Sequence, residues 1–155
     1  MIFGKSLAEY VSFEKWFLLL LFLVGVARLI LSLAGTPDAT VKYVSMTVLG
    51  LLGLIYYSVR IHTSGFGSYK QLLPVLALQV ILANLISVAG IVTAIVMGRD
   101  NIYTHASGRT LGHAFAHVLA MIVVSLIFWG IGSLIMLLTK KLTGGQQPRT
   151  GTAGA

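Results

Sequence analysis

Four apolar runs divide the chain, near Trp16 to Ala34, Val41 to Ile61, Gln71 to Gly98 and Gly112 to Thr139, with polar residues gathered between them. Each run reaches or exceeds the roughly 20 residues that a helix rising about 1.5 Å per residue needs to cross a hydrocarbon core. Lipid leaves backbone groups no partner but one another, so runs of this kind are helices. The pattern predicts an all-α, integral membrane four-helix bundle, up-down-up-down, with short loops. Residues 1–141 form its single domain. The tail, 142–155, is Gly-rich and polar and builds no core of its own.

The ends of the runs carry their own signals. Gly35-Thr36-Pro37-Asp38-Ala39-Thr40 reads as a tight turn, which makes the first two helices antiparallel neighbours. Residues 1–15 mix apolar side chains with Lys5, Glu9, Glu14 and Lys15, as expected of a short interfacial helix or a solvated lead. Ser32-Leu33-Ala34 looks like a signal-peptide cleavage site, but Arg28 inside the run and the long polar lead favour a retained first helix. Gly50, Gly53, Ala83, Ser87, Gly90, Gly130 and Gly132 are the small residues that let helices approach in lipid. Trp16, Tyr43, Tyr56, Tyr57 and Tyr69 fall near run ends, as aromatic belts do.

Composition agrees and adds direction. The 155 residues have a mean hydropathy of +0.92, with eleven basic and four acidic side chains and a formal charge of +7. The basic residues flank apolar runs instead of clustering, which points to lipid headgroups and away from nucleic acid. Arg60, Lys70, Lys140 and Lys141 are the expected headgroup contacts. Seven basic residues fall on the side of the termini and the second connection, so both termini are expected in the cytoplasm, in a bacterial inner membrane. The absence of cysteine excludes disulfides, thiolate metal sites, iron–sulfur clusters and a covalent c-type haem.

The candidate chemistry lies in Gly112-His113-Ala114-Phe115-Ala116-His117, which opens the fourth run. Histidines four residues apart share one helix face, the spacing by which one helix gives a metal two imidazoles. With His105 and Asp100 from the preceding connection they form a candidate divalent-metal site. A bis-histidine haem within one copy is disfavoured, since His62 falls at the opposite membrane face; a haem or chlorophyll-type pigment held by one imidazole is not. Arg28 sits inside the first run, about 9 Å from its end, where it either snorkels or joins a polar layer. Thr47, Thr93 and His117 fall at similar depth, so Arg28, Thr47, Thr93 and His117 are the candidate contacts of a quinone carbonyl, haem propionate or lipid phosphate.

Gln79, Asn84 and Ser87 add polar groups near the midplane of the third run, read as interhelical glue. All four carboxylates, Glu9, Glu14, Asp38 and Asp100, fall outside the runs, which argues against an ion-coupled carrier or channel. The expected function is that of an accessory, non-catalytic subunit of a larger membrane complex of respiratory or photosynthetic type, partnered by other membrane subunits or by its own copies. The alternative is a membrane redox or metal-binding protein built on His113, His117 and His105.

Overall fold

The computed structural model describes residues 1–104 and 107–144. Its elements are α1 (Leu7–Leu33), the single turn α2 (Asp38–Val41), α3 (Met46–Thr63), α4 (Tyr69–Met97) and α5 (Leu111–Gly144). The described residues contain no strand, and four of the helices are long and apolar enough to cross a membrane. The chain is an all-α membrane four-helix bundle.

Local chemistry explains the boundaries. α1 starts nine residues before its apolar run because Ser6 and Glu9 form a capping box: the Glu9 N–H donates to Ser6 Oγ at 3.2 Å and the Ser6 N–H donates to Glu9 Oε2 at 2.7 Å. Residues 7–15 are thus continuous with the first span, and only the turn before Ser6 stands apart. That turn is pinned by the Tyr10 hydroxyl, which donates to the Ile2 carbonyl at 2.9 Å, and by Gln71 Nε2, which donates to the Phe3 carbonyl at 2.8 Å. α3 begins at Met46, later than the apolar run, because Val41 closes α2 and Ser45 caps the next helix. α4 ends at Gly98 in the left-handed conformation, φ 63°, which only glycine adopts without cost.

Contacts between helix ends fix the alternating topology. At one end, here termed proximal, Phe3 meets Gln71 and the Trp129 indole donates to the Tyr69 carbonyl at 2.7 Å. At the other, distal end, Arg99 Nη2 donates to the Leu33 carbonyl at 2.5 Å and the Ile102 N–H donates to Ser32 Oγ at 2.9 Å. α4 is the centre of the bundle and packs against the other three long helices. Two apolar clusters result. The proximal one joins Tyr10, Leu54, Tyr57, Ile61, Leu72, Leu76 and Met136, and the smaller distal one joins Leu21, Met46 and Ile86. Outward faces carry Phe22, Leu52, Ile122, Val123 and Leu134, all exposed, as lipid-facing helices do.

The small residues divide into two kinds. A Cβ on Gly132 would lie 2.6 Å from Ser58 Oγ and 2.9 Å from Leu76 Cδ1, so α5 touches α3 and α4 through bare backbone there. Gly130, two residues earlier, faces open space. Gly132→Leu should therefore lose about 1–3 kcal/mol by overpacking, while Gly130→Leu changes stability by less than about 0.5 kcal/mol. Thermal unfolding in mild detergent checks this; equal effects would contradict the packing.

Candidate functional site

The connection after α4 is not a surface loop. Asn101 and Thr104 are each 1 % exposed. Asn101 Nδ2 donates to the Gly90 carbonyl at 2.7 Å, its Oδ1 accepts from the Tyr103 N–H at 2.9 Å, and Thr104 Oγ1 accepts from the Asn101 N–H at 3.0 Å. This knot turns Tyr103 into the bundle, across Gly90, where any Cβ would collide with the ring. The Tyr103 hydroxyl donates to the Gly25 carbonyl at 2.9 Å and lies 3.2 Å from Met46 Sδ. Burial pushes the phenol above its ordinary pKa, with the Arg28 charge acting the other way.

Beneath Tyr103 lies a cavity of about 430 Å³ between α1, α3, α4 and α5. Its polar wall consists of Arg28, Thr47, Gln79, Asn84, Ser87, Tyr103 and His117; Leu21, Leu51, Val80, Val124 and Phe128 supply apolar surface. Three of the four residues expected in one polar layer, Arg28, Thr47 and His117, thus meet around one space. Thr93 does not join them. It lies nine residues beyond Asn84, half a turn round α4 at about 100° per residue, and its hydroxyl donates to the Ala89 carbonyl at 2.8 Å.

Arg28 carries the strongest polar demand in the cavity. Its Nε is buried without a hydrogen-bond partner, and its guanidinium carbon lies 5.6 Å from the Tyr103 ring centre. Among the described residues the ion pairs are Lys5 with Glu9 and Arg109 with Asp100, so Arg28 has no carboxylate partner there. His117 Nδ1 lies 2.8 Å from Asn84 Oδ1. Asn84 Nδ2 donates to the Val80 carbonyl at 2.9 Å, so its Oδ1 is the acceptor and His117 carries its proton on Nδ1. His117 Nε2 then offers a lone pair.

His113 lies shallower, with Nδ1 donating to the Gly108 carbonyl at 3.1 Å, and its ring centre is 5.2 Å from that of His117. Asp100 is engaged by Arg109 at 3.3 Å and by the Thr104 hydroxyl at 3.1 Å. His105 lies outside the described residues, and among those described no three metal-type ligands come together. His62 lies at the proximal end, where Thr143 Oγ1 is 3.5 Å from its Nε2, far from His113 and His117. Arg60, Lys70, Lys140 and Lys141 also belong to that end. Arg60 Nη1 donates to the Tyr56 hydroxyl at 3.1 Å, and Lys140 Nζ stands 4.2 Å from the Tyr69 ring centre.

Glu14 corrects the placement of the carboxylates. It lies inside the first spanning helix, 1 % exposed, and its Oε2 accepts from Gln79 Nε2 at 2.8 Å. Gln79 is therefore more than glue: one side of it holds Glu14, and it also lines the cavity. The signal was present in the helical spacing of Tyr10, Glu14, Leu21 and Gly25, all buried on one face of α1.

Fold and site together define an integral membrane four-helix bundle with a polar cavity in its distal half. Comparison with known protein families, curated proteins and solved structures finds no match for the chain.

The loop knot predicts its own sensitivity. Asn101→Ala leaves the Tyr103 N–H without its acceptor, removes the tie between the loop and the Gly90 carbonyl and frees Tyr103, and should cost about 1–3 kcal/mol; Asp100→Ala, at a half-exposed surface ion pair, should cost less than about 1 kcal/mol. Thermal unfolding of both variants measures the difference, and a larger loss for Asp100→Ala would contradict the assignment.

Proposed function

We propose that this chain is a non-catalytic binding subunit of a membrane assembly, whose distal cavity holds the polar head of an amphipathic ligand. The head is a hydrogen-bond acceptor or an anion, a quinone carbonyl or a lipid phosphate, and the apolar remainder lies along the lipid-facing helices. The observation that carries this reading is the buried, unpartnered Nε of Arg28 on the wall of a cavity of about 430 Å³. An unsatisfied donor in such a place costs about 1–3 kcal/mol, which an acceptor in the cavity would recover. Arg28 offers a fork of donors, Thr47 a hydroxyl, and His117 Nε2 a lone pair for a ligand O–H.

The setting follows from the charges. Lys5, Lys15, Arg60, Lys70, Lys140 and Lys141 gather at the proximal end, which supports a cytoplasmic location for it in a bacterial inner membrane. A respiratory or photosynthetic partner complex fits a quinone or pigment, and a structural lipid site fits a phosphate head. A second reading, metal or haem binding, is favoured by the free Nε2 lone pairs that the Nδ1 bonds of His113 and His117 leave. Elemental analysis and an absorbance spectrum of the purified protein separate it from the first.

Protein extracted in mild detergent should carry a lipid or quinone, identified by mass spectrometry of its organic extract. Arg28→Ala should lower that content by about tenfold or more, the equivalent of one charge-assisted hydrogen bond of about 1.5–3 kcal/mol. His117→Ala should lower it too, and His113→Ala should leave it unchanged. Wild-type protein without any bound amphiphile, or full content in Arg28→Ala, would overturn the reading.

A further inference from the structure

Glu14 remains outside that reading. Its side chain is buried, its Oε2 accepts one hydrogen bond from Gln79, and its Oε1 is buried with no partner. Gln79 Oε1 is buried and unpartnered as well. Two acceptor oxygens thus face a shortage of donors. Among the described residues no cation remedies it. Arg60 of α3 spreads over the rings of Phe13, Tyr56 and Tyr57, with its guanidinium carbon 4.9 to 5.9 Å from their centres, and bonds Tyr56. Lys15 reaches over Trp16. The other titratable neighbours are Tyr10 on the same helix, its hydroxyl committed to the Ile2 carbonyl, and Tyr57 of α3. α4 presents the uncharged Gln79, and α5 carries its described ionisable residues, His113, His117, Lys140 and Lys141, only towards its two ends.

The way to the nearer, proximal face is packed with aromatic rings. Phe13 stacks on Phe66 at 3.9 Å between centres, Tyr10 meets Phe66 edge-on at 5.8 Å, and Tyr57 meets Phe13 and Phe17 at 5.7 and 5.5 Å. The polar continuation from Glu14 runs the other way. Gln79 lines the cavity, which has room for several waters, and from there Asn84, Thr47 and His117 lead to the distal end.

We propose that Glu14 is a proton-binding site that exchanges with the distal face through the cavity, with Gln79 as its link to cavity water. A neutral carboxylic acid removes the unpaired buried charge, whereas a lone carboxylate there would lack the counter-charge that burial requires. The Glu14 carboxylate takes its proton from hydronium in the cavity and returns it to cavity water, and no electrons move. Gln79 does not titrate; it is a positioning residue that fixes Glu14 Oε2 and stands between Glu14 and the cavity whose wall it forms. The site is separate from the ligand reading, which needs Arg28 and His117, so either can fail without the other.

The test uses the full chain reconstituted in phosphatidylcholine vesicles, where infrared spectroscopy reads the carboxylic acid carbonyl band that Glu14→Gln abolishes. A single cysteine introduced at Ser107, in a chain that has none, reports which face carries the distal loop. The band should weaken when pH is raised on the distal face and ignore the same step on the proximal face, and Gln79→Leu should lose the fast exchange while keeping the band. A band that follows proximal pH, or no band at any pH, overturns the proposal. If Glu14→Gln does not fold, dicyclohexylcarbodiimide serves on the wild type, since it modifies protonated carboxyls in apolar surroundings. Peptide mapping should then find the adduct at Glu14, suppressed as pH rises, and its absence there overturns the proposal equally.

Discussion

Hydrocarbon offers no hydrogen bonds, so every polar group carried into the bundle has to find its partner within the bundle. Most do so on their own helix. Ser58, Ser87, Thr93, Ser125 and Thr139 each donate to the carbonyl four residues earlier and leave the helix surface effectively apolar. The groups that do not close locally are those that shape the interior. Asn84 pairs with His117 across α4 and α5, Gln79 with Glu14 across α4 and α1, and Asn101 with the Gly90 carbonyl across loop and helix. Among the described residues four buried side-chain atoms are left over: Ser133 Oγ on α5, away from the cavity, and Arg28 Nε, Glu14 Oε1 and Gln79 Oε1, on or beside it. Their concentration there is what separates a site from ordinary helix packing.

The distal loop makes that cavity possible. Helices whose facing side chains are large and apolar close on each other, as they do in the proximal cluster of Tyr10, Leu54, Tyr57, Ile61, Leu72, Leu76 and Met136. At the distal end Ile102 and Tyr103 enter between the helices instead, supported by Gly90 and Gly25, which contribute no side chain. A loop wedge keeps the helices apart where Arg28, Thr47 and His117 stand.

The sequence made the bundle legible because apolar length alone decides whether a segment spans lipid, and the depth argument brought Arg28, Thr47 and His117 to one level. Thr93 misses on both counts: it stands nine residues beyond Asn84, the residue that His117 bonds, which is about 13 Å further along α4 and half a turn round it. Glu14 was hidden by the boundary of the run. A hydropathy window stops where Lys15 and Glu14 begin, whereas the helix is set by its cap at Ser6, two turns earlier. Once α1 is extended to Leu7, Tyr10, Glu14, Leu21, Gly25, Arg28 and Ser32 fall along one stripe at helical spacing. Tyr103 and Asn101 gave no signal, because a polar loop reads as solvated until its hydrogen bonds to distant backbone are known.

That stripe sets the electrostatics of the interior. Glu14 and Arg28 lie fourteen residues apart on the same face of α1, about 21 Å along its axis, with the cavity beside the stretch between them. They are too far apart to pair, so each needs its own compensation: a proton for one, an acceptor for the other. Their mutual attraction when both are charged is about 0.8 kcal/mol at an effective dielectric constant of about 20, small against the several kcal/mol that burying either lone charge costs. An anion bound at Arg28 therefore changes the proton affinity of Glu14 only slightly, and protonation of Glu14 hardly alters what Arg28 binds. The unmet demands of Arg28, on the cavity wall, and of Glu14, bonded to Gln79 of that wall, are thus each governed by its own burial and its own missing partner.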